Sequence, residues 1–305
     1  MSPIFSGVRI AHVDANASSN SFNTTTPPHA SEAPSSRPLI DPFAAVPTSV
    51  PAHCEARKTQ LSQQEWSARS SKSLSFEEPT RRVEIQWLDD NNQLQSAHPA
   101  TPALPIIENA FNAFARGALI PTRHGRIAVE DLMPGDEVET VEGDFETVVW
   151  TGAMSLDSRG RDGRKPERLY RIMADTFGMD RPAPDLILGA GARLLLRSEG
   201  LKASLGTDQA LVPVPSLVDG VSVFEVTPIS SVMTYHFALN CHRMIRVNGL
   251  DVETYHPGAS ATGELQGELR ERYMALFPHL SCLGDFGALS HSRLSSAMIG
   301  DLSPR

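Results

Sequence analysis

The side chains best suited to chemistry gather late in the chain. His236, Cys241, His242, His256, His279 and Cys282 crowd its C-terminal third. Imidazoles and thiolates bind zinc, move protons and attack carbonyls. The spacing of these six residues matches no structural zinc pattern, so no metal and no cofactor is expected. The third cysteine, Cys54, stands far upstream, and no C-x-x-C pair occurs. Three scattered cysteines imply reduced thiols rather than a disulfide framework. An isolated histidine such as His242 reads first as a structural group satisfied by its neighbours. No G-x-S-x-G, H-E-x-x-H or P-loop is present, so a hydrolase with an unrelated pocket has no motif to support it. Glu130, Asp131 and Asp136 flank Pro134-Gly135, and their types are those of turn-capping carboxylates.

The elements that must position these groups are mostly short strands. Arg82 to Leu88 alternates apolar and polar residues as a half-buried strand does, and Asp89 to Asn92 supplies a turn. A Pro-rich connector follows to Pro105. Ile106 to Ala115 reads equally as a short helix or an extended arm. From Gly117 to Thr254 the punctuation is that of a β-protein. Strands are expected at 127–129, 137–141, 145–150, 169–173, 186–188, 194–196, 221–226 and 234–239. A closing hairpin is expected where Asn248-Gly249, a type I′ signal, joins Met244–Val247 to Leu250–Thr254. Ser158 to Pro166 is a charged loop. Gly263 to Phe277 has helical spacing of Leu265, Leu269, Leu276 and Phe277, closed by Pro278. The residues from about Ser290 read as a frayed end.

Composition bounds what such a chain can do. It has 305 residues, 40% hydrophobic and 21% charged, as an ordinary globular protein has. A net charge of −9 argues against a nucleic-acid partner. No apolar run is long enough for a membrane span. The start of the chain lacks a secretory signal pattern, which makes the cytoplasm the default location. Residues 1–80 are rich in Ser, Pro, Thr, Ala and Asn and are expected to be a disordered linker.

Three blocks in order carry a family resemblance. FARGALIPTRHGRIAVEDLMPGDEVET, Phe114 to Thr140, resembles the opening of bacterial Hedgehog/intein (Hint) domains, whose form is C-F-x-x-G-T followed by a strand, Gly and V-E-D-L-x-P-G-D. PDLILGAGARLLL resembles their T-x-x-H block. TYHFALNCHRMIRVNGLDVET, Thr234 to Thr254, resembles the closing hairpin, and ALFPHLSCLGDFG resembles a tail of the bacterial branch. The resemblance implies a mainly β chain: a compact all-β Hint domain at 113–256, after a lead-in strand and connector at 82–112. A short helical extension follows at 257–290.

An active domain of this family makes an acyl shift at its own first residue. That step needs an attacking thiol or hydroxyl, a proton-moving His and groups that stabilise the tetrahedral intermediate. By alignment of the motifs, the nucleophile position falls on Ala113 and the closing Thr of the opening motif on Ala118. The T-x-x-H block becomes Gly189-Ala190-Gly191-Ala192, so the family's His position is Ala192. Asn240-Cys241 looks like an intein boundary but precedes the N-G-L turn. Val252-Glu253 occupies the place of the terminal His-Asn. His242 is the residual catalytic candidate. The resemblance therefore implies a Hint module inactive in self-cleavage, serving an unknown protein partner as an interaction or scaffold domain. The alternative is an autoprocessing domain with a displaced nucleophile. Intact mass with and without a thiol separates the two.

Overall fold

Alternation in the first ordered segment is realised as strand β1, Thr80–Leu88, with Val83 and Ile85 buried. The computed structural model describes residues 80–157, 167–198, 201–202 and 206–295. The expected disordered segment, Cys54 and the Ser158–Pro166 loop lie outside the described residues. Asp89 turns the chain by accepting hydrogen bonds from the Asn91 and Gln93 amides. Strand β2, Leu94–Ala97, then pairs back on β1. The connector is not structureless: Ala100–Pro102 forms β3, which also pairs with β1. The segment left open between helix and arm is both. A one-turn helix α1, Pro105–Glu108, begins with proline, whose missing amide costs nothing there. Strand β4, Phe114–Ala115, follows.

The next strands are β5 (Leu119–Thr122), β6 (Gly125–Ala128), β7 (Glu137–Glu139) and the long β8 (Phe145–Leu156). Between β6 and β7, Val129 and Leu132 enter the core. Asp136 accepts from the Met133 amide at 2.8 Å, as a local capping carboxylate does, whereas Glu130 caps no local turn and accepts from the Gly117 amide, 13 residues upstream, at 2.8 Å. Beyond β8 come β9 (Leu169–Ile172), β10 (Leu186–Leu188), β11 (Arg193–Arg197), β12 (Gln209–Pro213), β13 (Val223–Val226) and β14 (Val232–Leu239). Among the described residues one large antiparallel sheet runs β13-β9-β10-β4-β14-β8-β7-β5-β6, and β1 joins it on β8. A second sheet runs β12-β11-β16-β15. Here β15 (Met244–Val247) and β16 (Leu250–Glu253) are the closing hairpin. Val247 pairs with Leu250 across Asn248 (φ 49°) and Gly249 (φ 90°), the two positive φ values of a type I′ turn. The Asn248 side chain ties this turn to β5 by accepting from the Leu119 amide.

The expected C-terminal helix is broken in two. Helix α2 spans Ala261–Glu264 and α3 spans Gly267–Met274. Leu265 and Gln266 between them are extended, which turns Leu265 into the core, where it is 1% exposed. Burial of one leucine thus overrides continued helical spacing. Trp150, fully buried, anchors this extension by donating from Nε1 to the Leu276 carbonyl at 2.8 Å and packing 4.7 Å from Phe277. The end of the chain is not frayed through residue 295: Leu294 is buried and its amide bonds the Leu211 carbonyl. What periodicity missed is that Arg293 has a buried acid to pair with.

Candidate functional site

The topology brings together the family's two separated blocks. Strand β4 lies between β10 and β14, with Leu188 opposite Phe114. The residues just before β4 therefore meet the loop just after β10. The Gly189 amide donates to the Ala113 carbonyl at 2.8 Å, and the Gly191 amide to the Asn112 carbonyl at 2.7 Å. Ala113 is fully buried, and Ala118 and Ala192 are nearly so, all within the same apolar cluster. Methyl groups and glycine hydrogens are what these positions present.

The backbone fills the space that side chains would need. A Cβ on Gly189 would fall 1.8 Å from Asn112 Oδ1 and 2.5 Å from its carbonyl oxygen. One on Gly191 would fall 2.6 Å from the Asn109 carbonyl oxygen and 2.7 Å from that of Asn112. Asn112 Oδ1 is itself buried without a hydrogen-bond partner. The one element of acyl chemistry the site keeps is an amide, that of Gly191, on the carbonyl just before Ala113. An N–H in that place can stabilise a developing oxyanion. On the neighbouring strand, Tyr235, His236 and Phe237 help line a cleft of only about 160 Å³. His236 is buried, edge-on to Phe114 and Tyr255, and burial lowers its pKa to about 3.

A second polar centre lies elsewhere, where the closing hairpin meets the C-terminal tail. His242, reached from the loop before β15, has no exposed side-chain surface. Its Nε2 lies 2.9 Å from Glu253 Oε1. Its Nδ1 accepts from the Ser290 amide at 3.0 Å and lies 2.9 Å from Ser290 Oγ. Glu253, at the end of β16, also receives Arg293 Nε at 2.8 Å and Nη2 at 2.6 Å, with Arg193 Nη1 at 3.6 Å. Burial opposes the charge on Glu253, but the His242 hydrogen bond and the two guanidiniums outweigh it and lower its pKa. His256 packs edge-on to His242 at 5.2 Å, accepts from the Gly258 amide, and is held by burial at a pKa of about 4. The hydroxyls of Tyr255 and Tyr273 bond each other, and burial raises both pKa values.

Sequence reading singled out His242 but missed Glu253, Arg293 and Ser290, which are 11, 51 and 48 residues away along the chain. No spacing signal links them; only the hairpin and the docked tail do. Cys241, next to His242, points to solvent, and Cys282, partly exposed, donates from Sγ to Asp285 Oδ1 at 3.5 Å; neither is in a disulfide among the described residues. His279, whose ring is mostly buried away from this centre's hydrogen bonds, leaves Nδ1 unpartnered and has its pKa lowered to about 4 by burial.

Residues 112–259 match the Hint domain family. The chain carries a Hint domain. The match begins at Asn112, at the β4 entry described above, and ends past the closing hairpin. Among solved structures the chain is similar to the bacterial intein-like domain from Clostridium thermocellum, at 15% identity and a TM-score of 0.30. The likeness covers 48% of this chain and 99% of that one. It is also similar to the MchDnaB-1 intein, at 17% identity over 47% of this chain and 100% of that one, TM-score 0.28. A third is the Msm DnaB1 intein splicing domain bound with zinc, at 16% identity over 47% and 100%, TM-score 0.28. Likenesses at these scores carry no weight of their own. No curated protein matches. The family is one of autoprocessing domains, and this chain has its mainly β architecture with short C-terminal helices.

Proposed function

We propose that this Hint domain does not cut its own chain and serves as an interaction or scaffold module. The observation that carries the reading is the packing at the Asn112–Ala113 peptide. Acyl transfer needs a heteroatom beside the carbonyl, and Ala113 offers a methyl group inside the apolar core. The two alanines and two glycines of the 189–192 loop offer no side-chain acid or base, and a Cβ on either glycine would lie within 2.7 Å of the Asn112 carbonyl oxygen. The retained Gly191 amide is half of a reaction site with no attacking group to use it.

An interaction role is supported by the surface. Met173 and Val221 are exposed and close in space, since the Met173 amide bonds the Ser222 carbonyl, and Met179 is exposed nearby in sequence. Adjacent exposed apolar side chains, unlike single scattered ones, are the start of a contiguous patch, and such patches mark partner surfaces. A protein partner suits them and the net charge of −9 better than a nucleic acid. No helix of the described residues is long and apolar enough to cross a membrane. The module is taken as 113–256, with 82–112 and 257–290 packed on it. The test is the intact mass of purified full-length protein after incubation with and without dithiothreitol. One species at full mass in both is expected.

A further inference from the structure

We infer that Ser290 is an activated nucleophile, with His242 as its general base and Glu253 holding the imidazole, able to take up the acyl group of small esters. A nucleophile and a base within hydrogen-bond reach, with the base oriented by a third group, is the arrangement that nucleophilic catalysis requires. Here Ser290 Oγ is 2.9 Å from His242 Nδ1, and His242 Nε2 is 2.9 Å from Glu253 Oε1.

The tautomer is fixed by geometry. The Ser290 amide can only donate, so the Nδ1 it bonds at 3.0 Å carries a lone pair. The ring proton therefore sits on Nε2 and points at Glu253. Nδ1 has one lone pair, shared between the Ser290 amide at 3.0 Å and the Ser290 hydroxyl at 2.9 Å, so transfer of the hydroxyl proton to it displaces the amide. Arg293 and Arg193 hold the Glu253 carboxylate ionised in its buried place. Ser290 is exposed, so its hydroxyl meets solvent while its base stays dry. The next amide, that of His291, makes no hydrogen bond among the described residues, and an amide one position past a nucleophile is a common oxyanion donor.

In the step, Oγ bonds the ester carbonyl carbon as its proton passes to His242 Nδ1. The bond to the leaving alcohol oxygen breaks, and that oxygen takes the proton from Nδ1. Water then attacks acyl-Ser290 by the same route and releases the carboxylic acid. This chemistry is separate from the non-cleaving reading, because acylation at Ser290 leaves the chain at full length.

The test uses the full chain and an alkyl fluorophosphonate, which phosphonylates Oγ while the hydroxyl proton leaves with fluoride. Intact mass and peptide mapping should show one adduct on Ser290, absent in S290A and absent after heat denaturation. Removal of the base in H242Q should slow labelling about a hundredfold or more. Because H242Q can lose its fold, S290C supplies a second measurement. The thiol it introduces should react with iodoacetamide at least tenfold faster than the exposed Cys241 of the same chain. No adduct on the folded wild type, an adduct unchanged in S290A, or equal alkylation of the introduced thiol and Cys241 would each overturn the assignment.

Discussion

Two interior centres of this molecule stand in opposite states. At the β4 entry, where the Hint family does its chemistry, the aligned positions hold only small side chains and the backbone itself occupies the room. At the closing hairpin, His242, Glu253 and His256 are buried together with the half-buried Arg193 and Arg293, and the charged groups among them are paired. The first centre can lose its polar groups without harm, because alanine and glycine have nothing to desolvate. The second cannot lose even one, because a buried charge left alone costs several kcal/mol. On the proposed non-cleaving reading, loss of a reaction and retention of a fold are compatible within one domain.

The largest effect is expected at Glu253. Glu253→Ala leaves Arg293 and Arg193 without their buried anion and His242 Nε2 without an acceptor. Denaturant unfolding should show a loss of about 3–5 kcal/mol, the usual result of removing one partner of a buried ion pair. A fully stable Glu253→Ala protein would break the comparison, since the polar centre would then hold nothing together.

Next comes Gly189→Thr, which restores the family's residue type. Its Cβ meets both the side chain and the carbonyl of Asn112, so a cost of about 3 kcal/mol is expected. Adding Asn112→Ala should recover only part of this, because the carbonyl clash remains. Ala113→Cys with Ala192→His should give little thiol-induced cleavage, and Gly189→Thr should lower the yield of folded protein rather than rescue activity. Efficient cleavage by the triple variant would show that the emptied site keeps a working frame.

Gly249→Val sharpens the comparison at the hairpin that carries Glu253. Valine strains badly at φ 90°, and its Cβ would meet the Asp180 carbonyl oxygen at 2.3 Å. A loss of about 1–3 kcal/mol is expected in thermal or denaturant melts.

The smallest effect is the pH response of His236. Its pKa is about 3 in the fold against 6.5 unfolded, so between those values the unfolded chain binds the extra proton. Its contribution is complete above pH 6.5 and is lost as the pH falls through that window. At a pH about one unit below the unfolded value, the loss is about 1.4 kcal/mol. His236→Phe should flatten the stability profile between about pH 7 and 5.5 by about that amount. An unchanged profile would show that His236 is not held uncharged.

What the sequence made legible was local. Asn248-Gly249 names its own turn, Asp136 caps three residues back, and the alternation of 82–88 forms a strand whatever it pairs with. The meeting of Ala113 with Gly189 was legible only through the ordered motif blocks, since nothing in either segment alone requires the other. The Ser290, Glu253 and Arg293 cluster was illegible, because its members share no period and meet only after the tail docks. The same docking explains why the end of the chain read as frayed. The break at Leu265 escaped notice because helical spacing cannot say which leucine the core will take.

The central claim is that the Asn112–Ala113 peptide stays intact, and intact-mass spectrometry of freshly purified full-length protein tests it most directly. Incubation with and without dithiothreitol should leave a single species at the full-length mass, whereas a thiol-dependent fragment beginning at Ala113 would contradict it.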